Sequence, residues 1–133
     1  MNPIQIDDWR IYRRDGEQFL HTAQAAHAKR KKTFTAETLY NLTCMGIEKL
    51  IMAFLMNRGV LAENHTMHDL ARALENHLDT GSNVDNGLRY LDSFQEICDP
   101  DEIHLRRPDK EDIQRILDIG SDIHKLLTPH LKR

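Results

Sequence analysis

The chain is short of the residues that interrupt helices, with four prolines and six glycines in 133 positions. No Gly-x-y period and no low-complexity stretch is present, which excludes collagen-like and disordered chains. Only two cysteines occur, Cys44 and Cys98, far apart within apolar helical patterns. A disulfide scaffold is thereby excluded, and buried free thiols in a reducing cytoplasm are the expected state. No excess of one charge exists over the whole chain: the net charge is -3 and the pI near 6.2, against a protein that coats nucleic acid by bulk electrostatics. The most apolar run, Cys44 to Met56, is interrupted by Glu48 and Lys49. It falls short of the roughly 20 residues a membrane span needs, and is expected to be a core helix. The N-terminus lacks the basic start, apolar stretch and cleavage site of a signal peptide and reads as a mature end, so a cytoplasmic protein with no membrane association is expected.

What is present describes a globular chain: 40% hydrophobic and 29% charged residues, at a length that fits one domain spanning 1–133. About two-thirds of the unfolded surface can be buried at this size, so neither disulfides nor a structural metal is required. Charge is unevenly placed. Residues 1–58 carry nine Lys and Arg against six Asp and Glu, a surplus of three positive charges; residues 59–133 carry nine against fifteen, a deficit of six. A local basic patch is therefore possible in the first half.

Hydrophobic spacing is helical almost everywhere, and strand-like alternation is absent. Five helices are predicted, over about 8–31, 36–58, 67–79, 83–98 and 110–128, forming an all-α, up-and-down antiparallel bundle. The first repeats Trp9, Tyr12, Gly16, Phe19, Ala23 and Ala26 at three- and four-residue steps and ends in Lys29-Arg30-Lys31-Lys32. Four cations there complement the helix dipole; a phosphate-binding patch is the sharper reading, weakened by the lack of interleaved aromatics. The second starts at Thr35, with a Phe34–Leu39 staple, and stops at Gly59, where Val60 folds back. Apolar on most faces, it is expected to be central, with Met45, Met52 and Met56 as core filler. Thr66-to-Asp69, Ser82-to-Asp85 and Asp109-to-Asp112 are capping boxes for the last three helices.

The run Thr43-Cys-Met-Gly-Ile-Glu48-Lys49, continued to Gly59 and followed by His65-Thr-Met-His68-Asp69-Leu70, resembles the HEPN domain family. The likeness lies in a Glu-Lys pair inside an apolar helix, a Gly at its end, and His-Asp-Leu opening the next helix. Leu105-Arg106-Arg107-Pro108-Asp109 is similar to the Arg-Tyr-Pro-Asp link of many members. The resemblance implies a small helical bundle that often dimerises, frequently encoded beside a minimal nucleotidyltransferase in toxin–antitoxin-like pairs. Catalytic members are metal-independent RNases carrying Arg, four to six residues, then His near the start of the last helix. This sequence departs from that pattern, since eight residues separate Arg115 from His124 in the last helix. Arg14 with His21, Arg58 with His65, and Arg72 with His77 do fit the spacing. With 11 Arg and 8 His in the chain, roughly two such matches are expected by chance, and none lies in the family's location.

Glu48 is the most conspicuous single residue, because a carboxylate in so apolar a helix needs a partner or a water-lined groove. It is either a polar site that accepts a hydrogen bond from a base or ribose, or a surface-edge residue paired with a cation. Lys49 beside it belongs at an exposed edge, with a phosphate contact conceivable. His65, His68 and Asp69 form a corner motif; three candidate ligands, one claimed by a cap, do not make a metal site. His104, Arg106 and Arg107 precede the last helix, and the two guanidinium groups suit phosphates or balance neighbouring carboxylates. No nucleophile with a recognisable neighbourhood and no Gly-rich phosphate loop occurs, so no catalytic residue, cofactor or metal is assigned.

The expected function is a non-catalytic HEPN-like binding module, a homodimer or paired with a nucleotidyltransferase-type partner, with nucleotide or RNA contacts at Glu48, Lys49, His104, Arg106 and Arg107. The alternatives are a divergent metal-independent ribonuclease and a structural homodimer without a ligand.

Overall fold

The computed structural model describes residues 8–30, 32–60, 67–94 and 107–131. The expected all-helical bundle forms: α1 (Trp9–Ala28), α2 (Ala36–Asn57), α3 (Met67–Glu75), α4 (Gly81–Asp92) and α5 (Lys110–Leu127), then a 3-10 turn at Thr128–His130. No strand occurs among the described residues.

Most of α2 is buried, from Leu39 to Met56, with Ile47, Leu50, Ile51 and Phe54 fully enclosed. By length and composition this helix could cross a membrane, but 72% of its apolar window is buried inside the bundle, as in a core helix. Met52 and Met56 are core residues as expected; Met45 is not, because it lies on the open side of α2 and is 43% exposed. Thr35 caps α2, its side-chain oxygen accepting from the Thr38 amide at 3.1 Å. Gly59 ends it with φ +82, which lets the Val60 amide reach the Leu55 carbonyl at 2.8 Å and the Gly59 amide that of Met56 at 2.9 Å.

Two glycines bring α1 and α2 together. A Cβ on Gly16 would stand 2.9 Å from the Gly46 carbonyl oxygen, so the backbones meet with no side chain between them. Leu20, rather than the expected Phe19, is the buried residue of that turn. Its side chain fills the hole left by Gly46 and by Gly120 of α5, where an added Cβ would lie 2.8 and 3.0 Å from it. Gly16 against Gly46, and Ala23 and Ala26 clustered with Leu39, make α1 and α2 antiparallel. Leu39 clustered with Ile113 and Leu117, Thr43 opposite Gly120, and Phe54 edge-on to His130 show that α2 and α5 run in the same direction. Across α1 and α5, Glu17 meets His124 at 2.8 Å, Gln24 donates to Ser121 at 2.8 Å, and Arg13 donates to the Leu131 carbonyl at 3.1 Å.

Four helix ends differ from the sequence reading. The first helix stops at Ala28, because Arg30 takes the left-handed conformation at φ 52 and donates its amide to the His27 carbonyl, closing the helix before the rest of the basic run. The third stops at Glu75, where amides of Asn76, His77 and Leu78 turn back on the last helical carbonyls. The fourth begins at Gly81, not after Ser82. Asp85 is engaged by the Thr80 hydroxyl at 2.5 Å, so Ser82 lies inside the first turn and no Ser82–Asp85 box forms. That helix ends at Asp92, and positions 95–98, including Cys98, lie outside the described residues. The Asp109–Asp112 box forms as expected: Asp109 accepts from the Glu111 amide at 3.0 Å and Asp112 from the Asp109 amide at 3.1 Å.

Candidate functional site

Glu48 and Lys49 lie on the part of α2 that faces away from α5. Lys49 is half-buried, and its ammonium sits 4.6 Å from the centroid of the Tyr12 ring of α1. That cation–π contact joins the two helices across an open face. Met45 stands one turn before Lys49 and so shares its side of α2. Ile11 adjoins Tyr12 on α1. Ile11 and Met45, 47% and 43% exposed, are the exposed large hydrophobics among the described residues. Asp15 lies one turn after Ile11 and is paired with Arg14 at 3.3 Å. Each helix of this glycine-packed pair thus exposes one large apolar side chain, with Lys49 on α2 and the ion-paired Arg14 and Asp15 on α1.

Glu48 is half-buried and engaged rather than isolated. Behind it is a polar knot within the bundle: Tyr40 donates to the Leu91 carbonyl at 2.7 Å and packs edge-on to Phe94. Burial pushes the Cys44 thiol up to about 12; a hydrogen bond with Tyr40 opposes that rise, and the charges of Glu48 and Asp92 add to it. Burial likewise raises the Tyr40 hydroxyl well above the usual tyrosine range, with Cys44 and Asp92 adding to the effect. Both groups stay protonated at neutral pH. Cys44 is a free buried thiol, with no role as a nucleophile in this state.

His65, His104 and Arg106 lie outside the described residues, as does the hydroxyl of the Thr66 cap. Arg107 is exposed, before the N-terminus of α5. His68 is exposed at the start of α3 and lines a cleft of about 180 Å³ between α3 and α4; Asp69 is half-buried and engaged. That cleft mixes Arg72 and Arg89 with Glu75, Asp85 and Asp92. Among the described residues, no three His, Cys, Asp or Glu stand together as metal ligands. Arg115 and His124 are turned to different neighbours: the Arg115 guanidinium lies 4.0 Å from the Tyr90 ring centroid on α4, and His124 meets Glu17 on α1. They form no common centre. The exposure of Met45 and Ile11 was not legible in the sequence, because an apolar residue in an apolar helix gives no sign of which side lacks a neighbour.

No protein-family model matches the chain, and no curated protein matches it. Among solved structures it is similar to TT1696 from Thermus thermophilus, with a TM-score of 0.73 at 16% identity, over 93% of this chain and 98% of that one. Likeness at that identity establishes a shared fold across nearly the full length of both chains.

Proposed function

We propose that this chain is a HEPN-like helical binding module without a catalytic centre of its own, which pairs with a second copy of itself or with a nucleotidyltransferase-type partner. The observation that carries the reading is the α1–α2 face: each helix exposes one large apolar side chain, Ile11 and Met45, and the Lys49–Tyr12 contact bridges the pair. Covering the exposed half of each apolar side chain contributes about 1 kcal/mol. The Glu-Lys pair of the HEPN resemblance sits beside that face, on the helix whose burial gives the bundle its rigidity.

Light scattering on the purified chain tests the pairing, together with co-expression with a minimal nucleotidyltransferase. The expected result is a mass of at least twice 15.5 kDa for the chain alone or a stoichiometric complex with the enzyme. Met45→Asp abolishes either while leaving the helical circular dichroism unchanged. A wild-type chain that stays monomeric at all concentrations and leaves the nucleotidyltransferase unbound refutes the reading.

A further inference from the structure

At the opposite end of α1 from Ile11, the chain builds a second surface that no family likeness assigns. A groove of about 780 Å³ opens between the C-terminus of α1, the start of α2 and the start of α5. His27, Arg30, Lys32 and Lys110 line it, with Phe34 and the apolar floor of Leu39 and Ile113. No carboxylate is among its lining residues, in contrast to the α3–α4 cleft, where acidic and basic groups alternate. Among the described residues none of Arg30, Lys32 and Lys110 is paired with a carboxylate. Three permanent cations from two distant stretches of sequence therefore face one open space, in a chain whose net charge is -3.

Two features separate this from a solvated charge run. Arg30 adopts φ 52 at the residue that closes α1, where glycine is the least costly choice; an arginine held there costs about 1 kcal/mol and turns its side chain off the helix axis into the groove. Phe34 is half-buried, resting on the cluster of Ala23, Ala26, Leu39, Ile113 and Leu117, and part of it stays open among the cations. Phe34, two residues beyond the basic run, is thus anchored by the fold as an aromatic beside its cations. Cations along a groove with one anchored ring match a flexible phosphodiester chain whose bases are free to stack. They suit a duplex less well, since its bases are already stacked, and the groove is larger than a single phosphate needs.

We infer that this groove binds single-stranded nucleic acid, its backbone held by Arg30, Lys32 and Lys110 and a base stacked on Phe34. The site is separate from the α1–α2 face, so either can fail without the other.

The test is fluorescence anisotropy on the full chain with labelled single strands of about 12 nucleotides, as RNA and as DNA, at several salt concentrations. Three backbone contacts on a single strand predict a slope of log affinity on log salt near -2, so about a 20-fold loss between about 50 and 200 mM. Arg30→Glu with Lys32→Glu lowers affinity at least about tenfold and flattens the slope, whereas Arg14→Glu with Lys125→Glu, the same charge change elsewhere, leaves the slope in place. Phe34→Leu preserves the apolar packing and loses about tenfold with the slope unchanged. Binding of RNA alone, or of RNA and DNA alike, supports the inference and distinguishes a 2′-hydroxyl contact from backbone recognition. It is overturned if neither strand binds, if the groove reversal matches the control reversal, or if polyglutamate competes as well as an oligonucleotide.

Discussion

Replacing Gly16 by alanine forces α1 and α2 apart, and the structure sets the size of the effect. An added Cβ lies 2.9 Å from the Gly46 carbonyl oxygen and 2.9 Å from Leu50 Cγ, inside any ordinary van der Waals distance. The oxygen belongs to the backbone of the central helix and cannot rotate away; relief requires the two helices to separate by about 0.5 Å, which loosens the packing of Leu20 and Leu50 as well. Overpacking of this kind costs about 1–3 kcal/mol, and a backbone neighbour puts the cost near the upper end. Alanine returns about 1 kcal/mol through its better helix propensity. The net expectation is a loss of about 2 kcal/mol, or a melting temperature about 8 °C lower for a chain of this length. Gly46→Ala meets Leu20 Cγ at 2.8 Å and the Gly16 carbonyl oxygen at 3.0 Å, and loses a similar amount. Because one separation of the helices relieves both clashes, the double variant loses less than the sum of the two. Urea unfolding followed by circular dichroism measures all three. A Gly16→Ala chain that melts at or above the wild type would refute the close crossing.

Tyr90→Phe removes the hydroxyl that donates to the buried Asp112 carboxylate at 2.7 Å, and should cost about 1–3 kcal/mol in urea unfolding; a loss below about 0.3 kcal/mol would mean that the bond carries no stability. In a Cys98→Ser background the Cys44 thiol should resist a disulfide reagent at pH 8 in the native state and react on unfolding. Its native pKa is raised from 9.0 to about 12, so the protonated thiol contributes stability in full below pH 9 and loses it as pH rises from 9 toward 12. Constant stability of the Cys98→Ser chain over that window, compared with a Cys44→Ala derivative, would contradict the burial argument.

How far the sequence could be read follows from the range of the interactions involved. Helix existence and several ends were legible, because caps act within one turn: Thr35 accepts from Thr38, Asp109 and Asp112 exchange bonds three residues apart, and Gly59 turns the chain where its φ demands glycine. Ends went astray where a nearby residue took the expected partner, as Thr80 took Asp85, or where a non-glycine adopted the left-handed turn, as Arg30 did. Within the candidate surfaces, Glu48 and Lys49 could be singled out because charge in an apolar run is a local anomaly. What each does depends on Tyr12 of α1, on Asp92 of α4 and on which side of α2 the described helices leave uncovered, and none of these can be read from the residues within a turn of them.

Amino-acid order alone was enough for an all-helical chain with α2 at its centre, a buried Cys44 and the glycine stop at 59, since hydrophobic period and turn chemistry are properties of neighbouring residues. It took the packed helices to set Gly16 against Gly46, to leave Met45 open rather than buried, and to bring Lys32 and Lys110, far apart in the chain, to one groove with Phe34. A 3.6-residue period states which face of a helix is apolar; it does not say which neighbour covers that face or which is left open, and binding surfaces are made from that difference.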